Sequence, residues 1–206
     1  MSEPRGGAAP NPPAARDAER PAARDAERSP DPVTEGAAYQ RQLLDQLGSD
    51  DPAEAQAQTV AAIHELFAEA GRELRSRPEE GEWSALECAG HILDAEIVSS
   101  ARYRWILAHD QPELTPYDQE RWASRLRHVD DDPALLLATF EALRRANLDL
   151  WRRVPVEDRG RIGLHRERGP ESYELTFRLI AGHDRLHVGQ ARRALAAVRG
   201  VRPTVD

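Results

Sequence analysis

Two histidines, His183 and His187, stand four residues apart in the run Ile180-Ala181-Gly182-His183-Asp184-Arg185-Leu186-His187. On a helix that spacing sends both imidazoles out of one face, a turn apart. Phe177, Ile180, Ala191 and Ala194 share the helical phase, so the pair falls on the inward, apolar stripe. Imidazole nitrogens in an apolar seam are costly unless each has a partner, and a divalent cation supplies one. A third histidine, His91, lies with Cys88 and Ala95 on the inward face of another helical stretch. Metal sites in helical bundles are assembled from side chains on facing helices. Three neutral nitrogens also leave coordination positions free for water or substrate. The spacing leaves a second reading open, in which the same three histidines are core residues that each bond a backbone carbonyl.

The neighbouring residues narrow the chemistry without assigning a catalytic group. The run is His-Asp-Arg-Leu-His, without the glutamate of the His-Glu-x-x-His metalloprotease pattern. Asp184 turns about 100° from the ligand face, where it could stand behind a ligand but not beside it. Cys88 sits one turn before His91, but a three-histidine, one-cysteine site would be closed, so Cys88 reads as a small core residue. Gln190, three residues past His187, could bond a ligand or bound water, or only add polarity to the helix. Arg102 could bind a carboxylate or run its charge out to the bundle end. Asp94, Glu96 and Asp118 are the candidate bases, each equally readable as a structural carboxylate. His64 falls on an exposed flank, His109 at a helix end, and His128 and His165 in connections. Trp83, Trp105, Trp122 and Trp151 read as apolar filling, with Trp122 a candidate for a pocket wall.

The elements that must position these groups are helical. A short helix over Tyr39–Leu47 ends at Gly48. Asp51-Pro52 opens a longer one carrying Val60, Ile63, Phe67, Ala70 and Leu74 at three- and four-residue spacing, until Arg77-Pro78 stops it. Ser84 with Glu87 forms a capping box for a helix to about His109, with Cys88, His91, Ala95, Val98, Arg102, Trp105 and Ile106 near one face. A long connection, Gln111–Asp132, is of the length that usually forms a pocket wall. Asp132-Pro133 caps the next helix through Arg153, with Leu136, Phe140, Leu143, Asn147, Leu150 and Trp151 inward. Arg159–Pro170 is a glycine-bearing loop with a short extended piece at Arg161–His165, and the last helix runs from Ser172 to Val198. Four long amphipathic helices joined in this way make an all-α, four-helix bundle.

Composition sets the outer limits. The 206 residues, 40% hydrophobic and 31% charged, suit one globular domain with a polar tail. The tail, residues 1–33, is rich in Pro, Ala and Arg and repeats Pro13–Arg20 as Pro21–Arg28. It has too little to bury to offset its ordering entropy and is expected to be disordered. Residues 34–206 form the bundle domain. A net charge of -8 argues against a nucleic-acid partner. The single cysteine excludes an internal disulfide. No apolar run reaches the ~18–20 residues of a membrane span, and Met1–Ala9 lacks a leader pattern, so a cytoplasmic protein is expected.

Three stretches together resemble one family. Glu82-Trp83-Ser84 through Gly90-His91-Ile92-Leu93-Asp94-Ala95-Glu96 is similar to the first motif of the DinB/YfiT-like metal-dependent bundle proteins. Pro112-Glu113-Leu114-Thr115-Pro116-Tyr117-Asp118-Gln119-Glu120-Arg121-Trp122 resembles their proline-bounded segment. Gly182-His183-Asp184-Arg185-Leu186-His187-Val188-Gly189-Gln190 resembles their closing His-x-x-x-His-x-x-Gln. The resemblance covers roughly Tyr39 to Val198. It implies an up-down-down-up bundle, often a homodimer, with a divalent ion (zinc, nickel or iron) on His91, His183 and His187. It further implies a transferase joining a low-molecular-weight thiol such as bacillithiol, mycothiol or glutathione to an electrophilic small molecule. A metal-dependent hydrolase and a non-enzymatic metal- or ligand-binding stress-response bundle are the alternatives.

Overall fold

The computed structural model describes residues 30, 31 and 34–200, so all but two residues of the tail, including its duplicated octapeptide, lie outside the described residues. Six helices follow: α1 (Gly36–Leu47), α2 (Pro52–Ala70), α3 (Ala85–Ala108), α4 (Gln119–Leu126), α5 (Pro133–Arg153) and α6 (Tyr173–Val198). The long ones, α2, α3, α5 and α6, make the four-helix bundle, and α1 lies along α6.

Local chemistry fixes the boundaries. Asp51 and Asp132 each accept two backbone N–H groups at the start of α2 and α5, with proline in the first turn. Ser84 and Glu87 close a reciprocal capping box on α3, and Ser172 accepts from the Leu175 N–H to open α6. Each such cap contributes about 1 kcal/mol. They hold in register the two helices that carry the histidines. The α1–α6 contact is close enough that a methyl group at Gly182 would overlap the Leu43 carbonyl, so only glycine fits there.

The core has two main parts. One gathers Ile63, Leu66, Leu86, Ile92, Phe140 and Leu195. The other is aromatic: Trp151 stacks on Phe177 at 4.1 Å, and Tyr103 meets Tyr173 edge-on at 5.4 Å.

Several expectations need correction. Trp105 is 42% exposed rather than inward. At about 100° per residue it is Ile106 and Tyr103 that face the core from that turn. Phe67 packs half-buried against the core, and Leu66 beside it is the fully buried residue of that turn of α2. The all-α expectation holds for the bundle, but a small three-stranded sheet is added. Strand β1 (Glu113–Leu114) pairs parallel with β2 (Ile162–His165), which pairs antiparallel with β3 (Gly169–Ser172). The two connections are therefore joined to each other. The Leu164 N–H donates to the Pro112 carbonyl at 2.8 Å, and Leu114 packs where Gly163 has no side chain. The first connection also holds α4, capped by Asp118.

Candidate metal centre

His91 leaves α3 and His183 and His187 leave α6, the two helices in most extensive contact. One ligand-type atom from each lies within 4.8 Å of the others, and all three side chains are buried. The structure brings these three residues together, and they are the group of this kind found among the described residues. His91 Nε2 and His183 Nε2 approach to 2.9 Å. The ring centroids are 4.4–4.8 Å apart.

Of the nitrogens facing away from this point, His187 Nδ1 is hydrogen-bonded, while His91 Nδ1 and His183 Nδ1 have no hydrogen bond. His187 Nδ1 lies 2.8 Å from Gln190 Oε1, which selects the Nδ1–H tautomer and turns a bare Nε2 lone pair inward. His187 Nε2 has no protein partner. His183 Nδ1 faces Asp184 Oδ1 at 3.7 Å, and neither atom has a hydrogen bond. Asp184 thus stands behind His183, as its position one residue on permits, and its other oxygen is bound to Arg144 at 2.6 Å and Thr59 at 3.1 Å. Carboxylate and amide oxygens behind ligating histidines orient the rings and raise their basicity.

Beneath the histidines lies a charged layer. Arg144, fully buried, bonds Asp184, the Glu96 carboxylate at 2.9 Å and the Gln56 carbonyl at 2.9 Å. Asn147 donates to Glu96 at 2.8 Å. Two carboxylates against one guanidinium leave one net negative charge, which favours a cation above them. Burial opposes the charged form of Asp184, but Arg144 outweighs it and holds the carboxyl below its usual value.

Two of the three histidines, His91 and His187, are kept neutral. Burial first, then the neighbouring rings, pushes His187 down to about 3 and His91 well below its ordinary value. Three converging imidazoles, with the buried His187 Nε2 left without a protein partner, form a donor set that fits a divalent cation. The reading with one carbonyl per histidine does not match these contacts. Trp83 roofs the group, 5.1 Å from His91 and 6.2 Å from His187, and Tyr117 flanks His91 at 6.4 Å.

The candidate bases are all committed. Asp94 bonds His128 at 2.7 Å, Glu96 bonds Arg144 and Asn147, and Asp118 caps α4. His128 and His165, placed in connections from the sequence, prove buried. His128 is held between Asp94 and Asp131. Burial works against its charge, but the two carboxylates raise it above the ordinary histidine value. A methyl at Gly90 would collide with its ring. Cys88 is buried away from the ligand group, with its thiol pushed up by burial. A pocket of about 690 Å³, counted with its mouth, opens on His183 between α1, α3, α6 and the sheet.

Sequence comparison places the fold and site in a family. The DinB superfamily model matches residues 52–191, which span all three histidines. The chain belongs to the DinB superfamily. This DinB-superfamily chain is 26% identical over 107 residues to a candidate metal-dependent hydrolase of Bacillus cereus and 26% identical to one of Bacillus thuringiensis subsp. konkukian. Each match covers 52% of this chain and 61% of the relative, so the likeness spans well short of the relatives' full length. YfiT from Bacillus subtilis, described as a probable metal-dependent hydrolase with an unusual four-helix bundle topology, superposes with a TM-score of 0.66 at 19% identity. That superposition covers 73% of this chain and 87% of YfiT, and shows the shared fold. No helix among the described residues is long and apolar enough to cross a membrane.

Proposed function

We propose that this chain binds one divalent cation on His91, His183 and His187 and joins a low-molecular-weight thiol to an electrophilic small molecule. The observation that carries the thiol reading is the engagement of the carboxylates around the three histidines: Asp94 with His128, Glu96 with Arg144 and Asn147, Asp184 with Arg144, and Asp118 with the α4 cap. Hydrolysis in metalloproteases of the His-Glu-x-x-His type uses a glutamate as general base for water. A thiol needs no such base, because a cation at three imidazoles lowers a thiol's pKa and supplies Lewis acidity at neutral pH.

The chain's own residues do the remaining work. Gln190 and Asp184 fix the rings of His187 and His183. Trp83 and Tyr117 exclude water from one side. Burial raises the Tyr117 phenol, so it stays protonated at neutral pH and available as a hydrogen-bond donor in the pocket. The thiol proton passes to solvent, a carbon–sulfur bond forms, and the leaving group departs with its electron pair.

The test is purified, metal-loaded protein offered monochlorobimane with bacillithiol, mycothiol, glutathione or cysteine. Conjugation above the metal-free control with at least one thiol is the expected result. No thiol-dependent rate with any of them overturns it. The descriptions of the Bacillus relatives favour a second reading, metal-dependent hydrolysis. Metal-dependent cleavage of p-nitrophenyl esters without thiol dependence would decide for it.

A further inference from the structure

The pocket that opens on His183 is bordered by Arg102, His165, Arg168, Tyr39 and Tyr117. Arg102 is 6% exposed, yet no carboxylate among the described residues lies within ion-pair distance of it. Its Nε is buried without a partner. One Nη donates to the Thr115 carbonyl at 2.7 Å and lies 3.3 Å from His165 Nε2. The other ring nitrogen of His165 faces the Glu167 N–H at 3.3 Å. Both nitrogens of this imidazole therefore face donors. A neutral ring carries one N–H, so one of the two contacts must set donor against donor.

The second guanidinium offers no relief. Arg168 is paired through two nitrogens with the buried Glu171, which also accepts from Gln40 at 2.8 Å. That pair is neutral, leaving Arg102 as a buried cation without an ion-pair partner; the remaining carboxylate of the pocket wall, Glu167, is exposed and not paired with it. Leaving a buried guanidinium unpaired is costly, whereas an acceptor with one negative charge would satisfy it.

We infer that Arg102 and His165 form an anion subsite, and that the substrate is a carboxylate whose reactive end reaches His183. This deepens the proposed function, resting on that reading only for what happens at His183. A carboxylate fits better than a phosphate because one unpaired guanidinium balances one charge, and its planar fork matches a planar group.

The test is calorimetric titration of the full chain, as purified and after chelation, with succinate, succinamide and inorganic phosphate. Succinate is expected to bind at least tenfold more tightly than succinamide or phosphate. That preference should be lost in Arg102→Gln and kept in Arg102→Lys, with both variants unfolding cooperatively. Equal binding of succinate by wild type and Arg102→Gln overturns the subsite, and tighter binding of phosphate overturns the carboxylate assignment. Because the chelated protein is included, failure here is separable from failure of thiol conjugation. A misfolded Arg102→Gln leaves the succinate–succinamide comparison in wild type decisive: no preference there overturns the inference.

Discussion

Two polar clusters are buried side by side between α3, α5 and α6. In the layer built on Arg144, the groups find one another: the guanidinium meets Glu96, Asp184 and the Gln56 carbonyl, and Asn147 completes Glu96. In the layer built on His91, His183 and His187, the outer nitrogens of His187 and His183 face Gln190 and Asp184, that of His91 has no partner, and the inner nitrogens converge on one point. The first cluster finds its charge partners within the chain, leaving only Arg144 Nε, Asp184 Oδ1 and the Gln56 amide oxygen without a hydrogen bond, and reads as structure. The second is answered only by something from outside, and reads as a site. Asp184 belongs to both, so the structural layer also aims the ligand layer.

The comparison can be broken most forcefully at Arg144. Replacing it by Met leaves Glu96 and Asp184 as buried, unpaired carboxylates, and the expected loss is about 3–5 kcal/mol of stability, read from urea unfolding. A loss below ~1 kcal/mol would show that the layer is not held by charge pairing. The converse holds at His187. His187→Ala should keep a cooperative metal-free transition, destabilised less than Arg144→Met, while metal affinity falls by more than about a hundredfold in competition with a chromophoric chelator. A smaller effect attaches to the residue behind the ligand: Gln190→Leu should weaken metal binding by about 10–100-fold without removing it.

The smallest effect is a pH dependence in the pocket wall. Burial first, then Arg168 and Arg102, lowers His165 to about 4, against an ordinary value near 6.5. The unfolded chain then takes up the proton before the folded one does. Stability associated with His165 is full above about 6.5 and is lost as pH falls toward 4, with a slope of at most about 1.4 kcal/mol per pH unit. Urea midpoints between pH 7.5 and 5 should fall less steeply in His165→Asn than in the parent. Identical slopes would remove His165 as the titrating group.

The sequence made the bundle and the three histidines legible because both rest on helical periodicity. The caps at Asp51, Ser84 and Asp132 were equally plain, being local chemistry. What stayed hidden depends on contacts between distant segments. The extended piece at Arg161–His165 was legible and is β2, but the sheet needs it to meet β1 across half a hundred residues, and β1 is too short to announce itself. Arg144 was passed over although Phe140, Arg144, Asn147 and Trp151 recur at helical spacing on one inward face. Its charge suggested solvent, and its carboxylate partners lie on other helices. His128 and His165 were hidden for the same reason, and so was the role of Trp83, whose place just before the Ser84 cap brings it over His91.

The central claim, that the three converging imidazoles exist to hold an ion, is tested most directly by elemental analysis of protein purified without affinity histidines or added metal. About one divalent ion per chain in the wild type, and none in a folded His91→Ala/His183→Ala/His187→Ala variant, is the expected result. Equal metal content in the two proteins, or a wild type that takes up no divalent ion even when zinc, nickel and iron are supplied, would contradict it.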